Sequence, residues 1–277
     1  MRVPRPPRPR RARRPRRESL RRGIYVIPSL FTVGNMLCGF ASVLWALHDE
    51  LRLAAYLIIG AGFLDGLDGR IARLTHSTSE FGKEYDSLAD VISFGVAPAI
   101  LTYQWGLRGL GQWGWGVAFL FLVAGSVRLA RFNIKAGVSD RRFFTGLPIP
   151  AGAGALTLMV LVGTTFELIV DRPIAVAASM FVLLVSVLMV STVPYRSGKE
   201  FNLRQRWPAT AFFTIAALVA VVVFTPVPAL ALLLGVYVVA GPAEYVARRL
   251  RRRAVVQPAP QAQVPSALGP SETPDRP

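Results

Sequence analysis

Four aspartates fall within 26 residues of a chain that has 16 acidic residues in 277. They stand as Asp65-Gly66-Leu67-Asp68-Gly69-Arg70-Ile71-Ala72-Arg73, then eight residues, then Gly82-Lys83-Glu84-Tyr85-Asp86-Ser87-Leu88-Ala89-Asp90. On helices, Asp65 and Asp68 (i, i+3) share one face and Asp86 and Asp90 (i, i+4) share another. Four converging carboxylates repel one another unless cations sit between them, and all-oxygen ligation suits hard divalent ions such as Mg²⁺ or Mn²⁺. Gly66, Gly69 and Gly82 remove side chains where a bulky ligand could approach the backbone. Helix-end charges paired with Arg70, Arg73 and Lys83 would account for any one aspartate. They do not account for eight fixed positions, which would match by chance with probability below about 10⁻⁷ at ordinary residue usage.

The elements that must position these carboxylates are apolar. Hydrophobic residues make up 52% of the chain and mean hydropathy is +0.42. Hydropathy predicts eight membrane helices, near residues 26–47, 51–70, 87–106, 113–133, 149–169, 173–193, 208–224 and 227–247. Asp65 and Asp68 then end the second span, and Asp86 and Asp90 begin the third. Carboxylates at such positions are costly unless paired, solvated or metal-bound.

The net charge of +16 suggests a nucleic-acid binder until the charges are located. Residues 1–23 hold 11 Arg against Glu18, and residues 248–277 hold six Arg against Glu272 and Asp275. The near-neutral, apolar middle excludes a soluble globular domain, and nucleic acid is not an expected partner. With the N-terminus inside, 29 Lys/Arg face the cytoplasm, and only Arg52, Arg108 and Arg172 face out. That split predicts an N-in/C-in topology with an even number of spans. The expected organisation is a disordered basic arm (1–23), a core of membrane helices (24–205), an additional helix pair (206–250) and a disordered Pro-rich tail (251–277). Both basic tails are expected to touch anionic lipid.

The eight positions fit D-x2-D-G-x2-A-R-x8-G-x3-D-x3-D, and the chain thereby resembles the CDP-alcohol phosphatidyltransferase family. Further segments resemble its bacterial phosphatidylserine synthase branch. These are Pro28-Ser29-Leu30-Phe31-Thr32-Val33-Gly34-Asn35 through Gly39, with Ser29 where Asn is usual, and Ser87 through Pro98. Arg128-Leu-Ala-Arg131-Phe-Asn133, Gly146-Leu-Pro148-Ile-Pro150 and Tyr195-Arg196-Ser-Gly-Lys199 are also similar. The resemblance implies an all-α integral membrane protein, a polytopic bundle with a six-helix core and two further C-terminal helices. It implies an enzyme of the inner membrane, its site on the cytoplasmic side, making phosphatidylserine and CMP from CDP-diacylglycerol and L-serine. Asp65, Asp68, Asp86 and Asp90 would hold two divalent ions, Mg²⁺ or Mn²⁺, and Asp90 would also be the catalytic base. Ser29, Thr32, Asn35, Gly69, Arg73 and Ser79 would contact the cytidine nucleotide. Arg128 and Arg131 could bind the serine carboxylate, with Arg142, Arg196 and Lys199 as alternatives. A homodimer is the default expectation of the family.

Within the same chemistry, glycerol 3-phosphate or inositol phosphate is the alternative acceptor. From another class, four Asp could form the ion path of a divalent-cation transporter, but such sites lie near the bilayer midplane on broken helices. His76 and His48 are expected on opposite sides of the membrane, which argues against zinc. The lone Cys38 excludes an intrachain disulfide, and no nucleophile elbow or Walker-A loop is present.

Overall fold

Apolar runs broken by charged or Gly/Pro-bearing links fold here into a bundle of helices. The computed structural model describes residues 17–75, 80–135, 143–196 and 225–255, with side chains over 30–71, 80–134, 146–193 and 225–244. Helix α1 (Arg17–Leu47) begins inside the segment expected to be a disordered arm, two residues after Pro15. Once the dense prolines end, nothing removes backbone donors until Pro28. A tight turn at Asp49 leads into α2 (Leu51–Thr75).

The third element is an interrupted helix. It runs as α3 (Glu80–Asp90), a π-helical segment (Val91–Val96), α4 (Ala97–Thr102), a second π segment (Tyr103–Leu107) and a 3₁₀ turn (Arg108–Leu110). Pro98 lies in the first turn of α4 and has no N–H to donate. The widened turn just before it carries the chain past that gap, with the Ala97 N–H reaching Ile92 O, five residues back. Next come α5 (Gln112–Lys135), α6 (Ile149–Thr165), α7 (Arg172–Val190) and α8 (Pro226–Val255).

The chain is all-helical as expected, apart from one short ribbon. Strand β1 (Phe143–Thr145) pairs antiparallel with β2 (Pro194–Arg196), Phe144 opposite Tyr195. The ribbon joins the link before α6 to the link after α7. Gly146 ends it at φ +81°, donating from its N–H to Val193 O at 2.9 Å. A side chain there would also meet the Met189 and Ser191 carbonyls.

Helix α6 is the centre of the bundle, packed on α2, α4 and α8, with Ile149, Leu156, Val160 and Leu161 fully enclosed. Helix α1 lies against α2 and along α3–α4, and α5 lies against α7 and the first π segment. Buried hydroxyls on these helices bond to their own backbone, as Thr157 does to Ala153 O and Ser186 to Val182 O. Leu37, Phe40, Phe63, Val187 and Leu232 point outward, an arrangement suited to a hydrocarbon solvent.

Among the described residues, four helical stretches are long and apolar enough to cross a membrane: Leu30–Leu47, Gln112–Ile134, Arg172–Val190 and Pro226–Glu244. Helix α6 is apolar but shorter. Helix α2 and the α3–α4 path occupy the second and third expected spans, with the aspartates at one end. The expected seventh span, 208–224, lies outside the described residues.

Candidate active site

Helices α1, α2 and α3 meet at one end of the bundle, and the aspartates line their junction. One carboxylate oxygen each from Asp65, Asp86 and Asp90 lies within 4.8 Å of the others. Asp68, on the same face of α2 as Asp65, is buried at 6% exposure and is not one of this trio. Its Oδ2 accepts the Thr32 hydroxyl of α1. Asn35, one turn further along α1, is fully buried, and its Nδ2 donates to Asp90 Oδ1 at 3.4 Å. Two of the three α1 residues expected at the nucleotide, Thr32 and Asn35, are thus engaged with carboxylates.

A second bond fixes Asn35. Ser93, in the π segment after Asp90, donates its hydroxyl to the Asn35 backbone carbonyl at 2.9 Å. This close approach of two backbones requires Gly39, since a Cβ there would stand 2.7 Å from Ser93 Cα. Asp90 is therefore held by a three-part chain: Gly39 admits Ser93, Ser93 fixes Asn35, and Asn35 holds the carboxylate. From the sequence, Asn35 is expected at the nucleotide, and no role is expected for Ser93 or Gly39. The Asn-x3-Gly spacing was the available signal.

No basic side chain among the described residues neutralises the aspartates. Lys83, a candidate partner by sequence, instead pairs with Glu80 at 2.6 Å in solvent. Burial, then the neighbouring Asp65 and Asp68 carboxylates, push Asp86 up to about 7. Its Oδ1 is buried without a hydrogen-bond partner, and so is Asn35 Oδ1. Such orphaned acceptors are costly in a protein interior. Hard, uncompensated oxygens converging on one point fit a divalent cation. Gly69, on the exposed side of α2, leaves open space where a Cβ would stand.

The far wall is α5. Asn133 donates to Ser87 Oγ at 2.9 Å, tying α5 to the turn that carries Asp86. Arg131 donates to Val190 O at 2.9 Å and so latches α5 to the end of α7. Arg128 is 7% exposed and its Nε is buried without a partner. The side chains of Ser29, Arg73 and Arg196 lie outside the described ones, although their backbones belong to α1, α2 and β2. Ser79, Arg142 and Lys199, and with them His76, lie outside the described residues.

Carboxylates of α2 and α3 that converge beside polar groups of α1 describe a site for divalent ions. The sequence profile of the CDP-alcohol phosphatidyltransferases matches residues 25–243, and the chain belongs to that family. With its apolar helices, membership makes it a multi-pass membrane protein. The chain is 38% identical over 218 residues to the CDP-diacylglycerol–serine O-phosphatidyltransferase of Helicobacter pylori, covering 79% of this chain and 90% of that one. It is 34% identical over 219 residues to the protein of that name from Mycobacterium bovis, covering 74% of each. It is also 38% identical over 173 residues to an archaetidylserine synthase of Methanothermobacter thermautotrophicus, covering 61% of this chain and 69% of that one.

Proposed function

We propose that the protein is a CDP-diacylglycerol–serine O-phosphatidyltransferase, releasing CMP and forming phosphatidylserine. The observation that carries the chemistry is the Asp65–Asp86–Asp90 cluster with its orphaned oxygens. The serine acceptor is supported by relatives of that name that share most of the chain.

In the reaction, a new P–O bond forms between the serine hydroxyl and the lipid-bearing phosphorus. The P–O bond to CMP breaks, and the hydroxyl proton passes to Asp90. Asp65, Asp86 and Asp90 would hold a divalent cation, Mg²⁺ or Mn²⁺, with Asp68 available to a second ion. When bound, such ions neutralise the charge that develops on the pyrophosphate as CMP leaves. Asn35 fixes the Asp90 carboxylate by one oxygen, which leaves the other to face the acceptor. An open backbone at Gly69 admits the nucleotide, with Ser29, Thr32, Asn35, Arg73 and Ser79 completing its contacts. Arg128 binds the serine carboxylate. Arg131, committed to Val190 O, braces α5, and Arg142, Arg196 and Lys199 attract the substrates electrostatically.

The charge split of the sequence supports a cytoplasmic location for this end of the bundle, with both termini on the same side of an eight-span protein of the inner membrane. The basic tails rest on anionic lipid, and the family's homodimer is part of the same proposal.

An acceptor panel tests the reading. Purified protein in detergent is given CDP-diacylglycerol and Mn²⁺, with L-serine, glycerol 3-phosphate or inositol phosphate in turn, and CMP release is followed. Release is expected with serine. Release with a phosphorylated acceptor and not with serine would overturn the acceptor while leaving the family reaction standing.

A further inference from the structure

Two arginines stand together at the end of the bundle away from the aspartates. Arg108 closes the interrupted helix, eighteen residues and roughly 27 Å along its path from Asp90. Arg172 opens α7, at the end away from Val190 and its bond from Arg131. Both are exposed, and neither forms an ion pair among the described residues. Arg52, near the start of α2, is by contrast bonded to Thr164 O. Arg108 and Arg172 line one cavity of about 410 Å³ with Gln104, Trp105 and Asp171. Asp171 is engaged there as the cap of α7, its Oδ1 accepting from Ile174 N at 3.0 Å. Two guanidiniums against one carboxylate leave a positive charge over, and guanidinium forks suit phosphate oxygens.

A second, apolar cavity of about 360 Å³ adjoins the first across a single side chain, since Trp105 lines both. Its indole is seated against α6 at Gly163, where any Cβ would overlap the ring. Beyond the indole the cavity is walled by Leu158 and Val162 of α6, Phe181 of α7 and Leu234 of α8. Phe181 lies nine residues into α7 from Arg172, about 14 Å along the axis. The α6–α7 link borders both spaces, with Leu168 on the apolar one and Val170 on the charged one. Phe166, Leu168 and Ile169 of that link are exposed, which together with Trp105 marks the level where bilayer meets water. Both volumes fall within the range of ligand pockets, about 300–1,000 Å³.

We infer that the paired cavities bind one anionic phospholipid from the leaflet opposite the aspartates. Its phosphate rests between Arg108 and Arg172, and one acyl chain passes Trp105 into the apolar space between α6, α7 and α8. A zwitterionic lipid brings no net charge to answer the spare cation. Phosphate alone leaves the apolar cavity unfilled. Headgroup and chain are therefore both needed, and α8 takes part by closing the chain cavity with Leu234. The site is remote from the carboxylates and independent of which acceptor they serve.

Native mass spectrometry of the full-length protein, with lipid titrated into the detergent solution, tests the site. Wild type is compared with Arg108→Gln/Arg172→Gln, with Gly235→Leu and, as a control for bulk charge, with Arg13→Gln/Arg14→Gln in the N-terminal arm. The two site arginines are exposed, and Gly235 borders the apolar cavity with open space where a Cβ would stand, so these variants are built to fold. Wild type is expected to hold one phosphatidylglycerol about tenfold more tightly than phosphatidylcholine. The site-arginine variant should bind that one lipid about tenfold more weakly. Gly235→Leu fills the chain cavity without touching charge and should also weaken it about tenfold, the worth of roughly two buried methylenes. The arm control should keep it, and inorganic phosphate alone should not displace it. Equal affinity for the two lipids, an unchanged affinity in either site variant, a matching loss in the arm control, or displacement by phosphate would overturn the lipid site. None of these readouts depends on transfer to serine.

Discussion

At the scale of residues, the electrostatics of Asp86 carry a consequence for metal binding. Its carboxyl sits near 7 because burial and two neighbouring carboxylates oppose its charge. Below about pH 7 the cation-free site therefore holds a proton on Asp86 that an incoming ion must displace. Manganese affinity is expected to rise from about pH 6 to about pH 8 and then level off. The cation-free fold should change in the opposite sense, losing stability as pH rises from the usual carboxylate range through 7. Titration calorimetry with Mn²⁺ at several pH values checks the first point; an affinity that is flat with pH contradicts it. Spacing alone revealed the four aspartates, because i, i+3 and i, i+4 pairs on neighbouring helices have to converge. It could not show that Asp68 turns to Thr32 and Asp90 to Asn35, since those partners lie 36 and 55 residues away.

At the scale of elements, the π segment and the α1 contact act together. Asp90 ends the α-helical turn that faces the cluster, and Ser93 in the widened turn faces α1. Gly39→Ala would push a methyl into the Ser93 backbone. Overpacking of this kind costs about 1–3 kcal/mol. The variant is expected to unfold at a lower temperature and to lose activity by a larger factor than Gly60→Ala, a substitution into open space on α2. Thermal unfolding and initial rates on both variants check this; equal behaviour would remove the interhelical lock from the account. Ser93→Ala, which deletes the hydroxyl without crowding, should lower kcat and leave the KM for serine within about twofold. A serine KM that rises as kcat falls would count against positioning of Asp90. Helices α1, α2, α5, α6, α7 and α8 were legible because long apolar runs allow little else. The π segments and the three-residue ribbon were not. Hydropathy averages over a window far longer than either, and the ribbon is set by tertiary pairing of Phe144 with Tyr195.

At the scale of the whole molecule, the charge of +16 and the apolar composition describe different parts of one chain. The basic excess lies mostly in the tails, and the proposed topology puts it on the side opposite Arg52, Arg108 and Arg172. In single-cysteine variants built on Cys38→Ala, an impermeant thiol reagent applied to intact spheroplasts should label position 108 and leave position 83 unlabelled until the membrane is opened. Labelling of position 83 from outside would reverse the orientation. The family signature was readable without a structure because its residues cluster along the chain.

In the proposed reaction the aspartate cluster serves transfer of a phosphatidyl group to serine, with Asp90 as base. The most direct measurement is incorporation of radiolabelled L-serine into lipid by the purified protein with CDP-diacylglycerol and Mn²⁺, in wild type and in Asp90→Asn. Wild type is predicted to form labelled phosphatidylserine, and Asp90→Asn to lose about a hundredfold or more of that rate. Labelled lipid formed at an undiminished rate by Asp90→Asn would contradict the account.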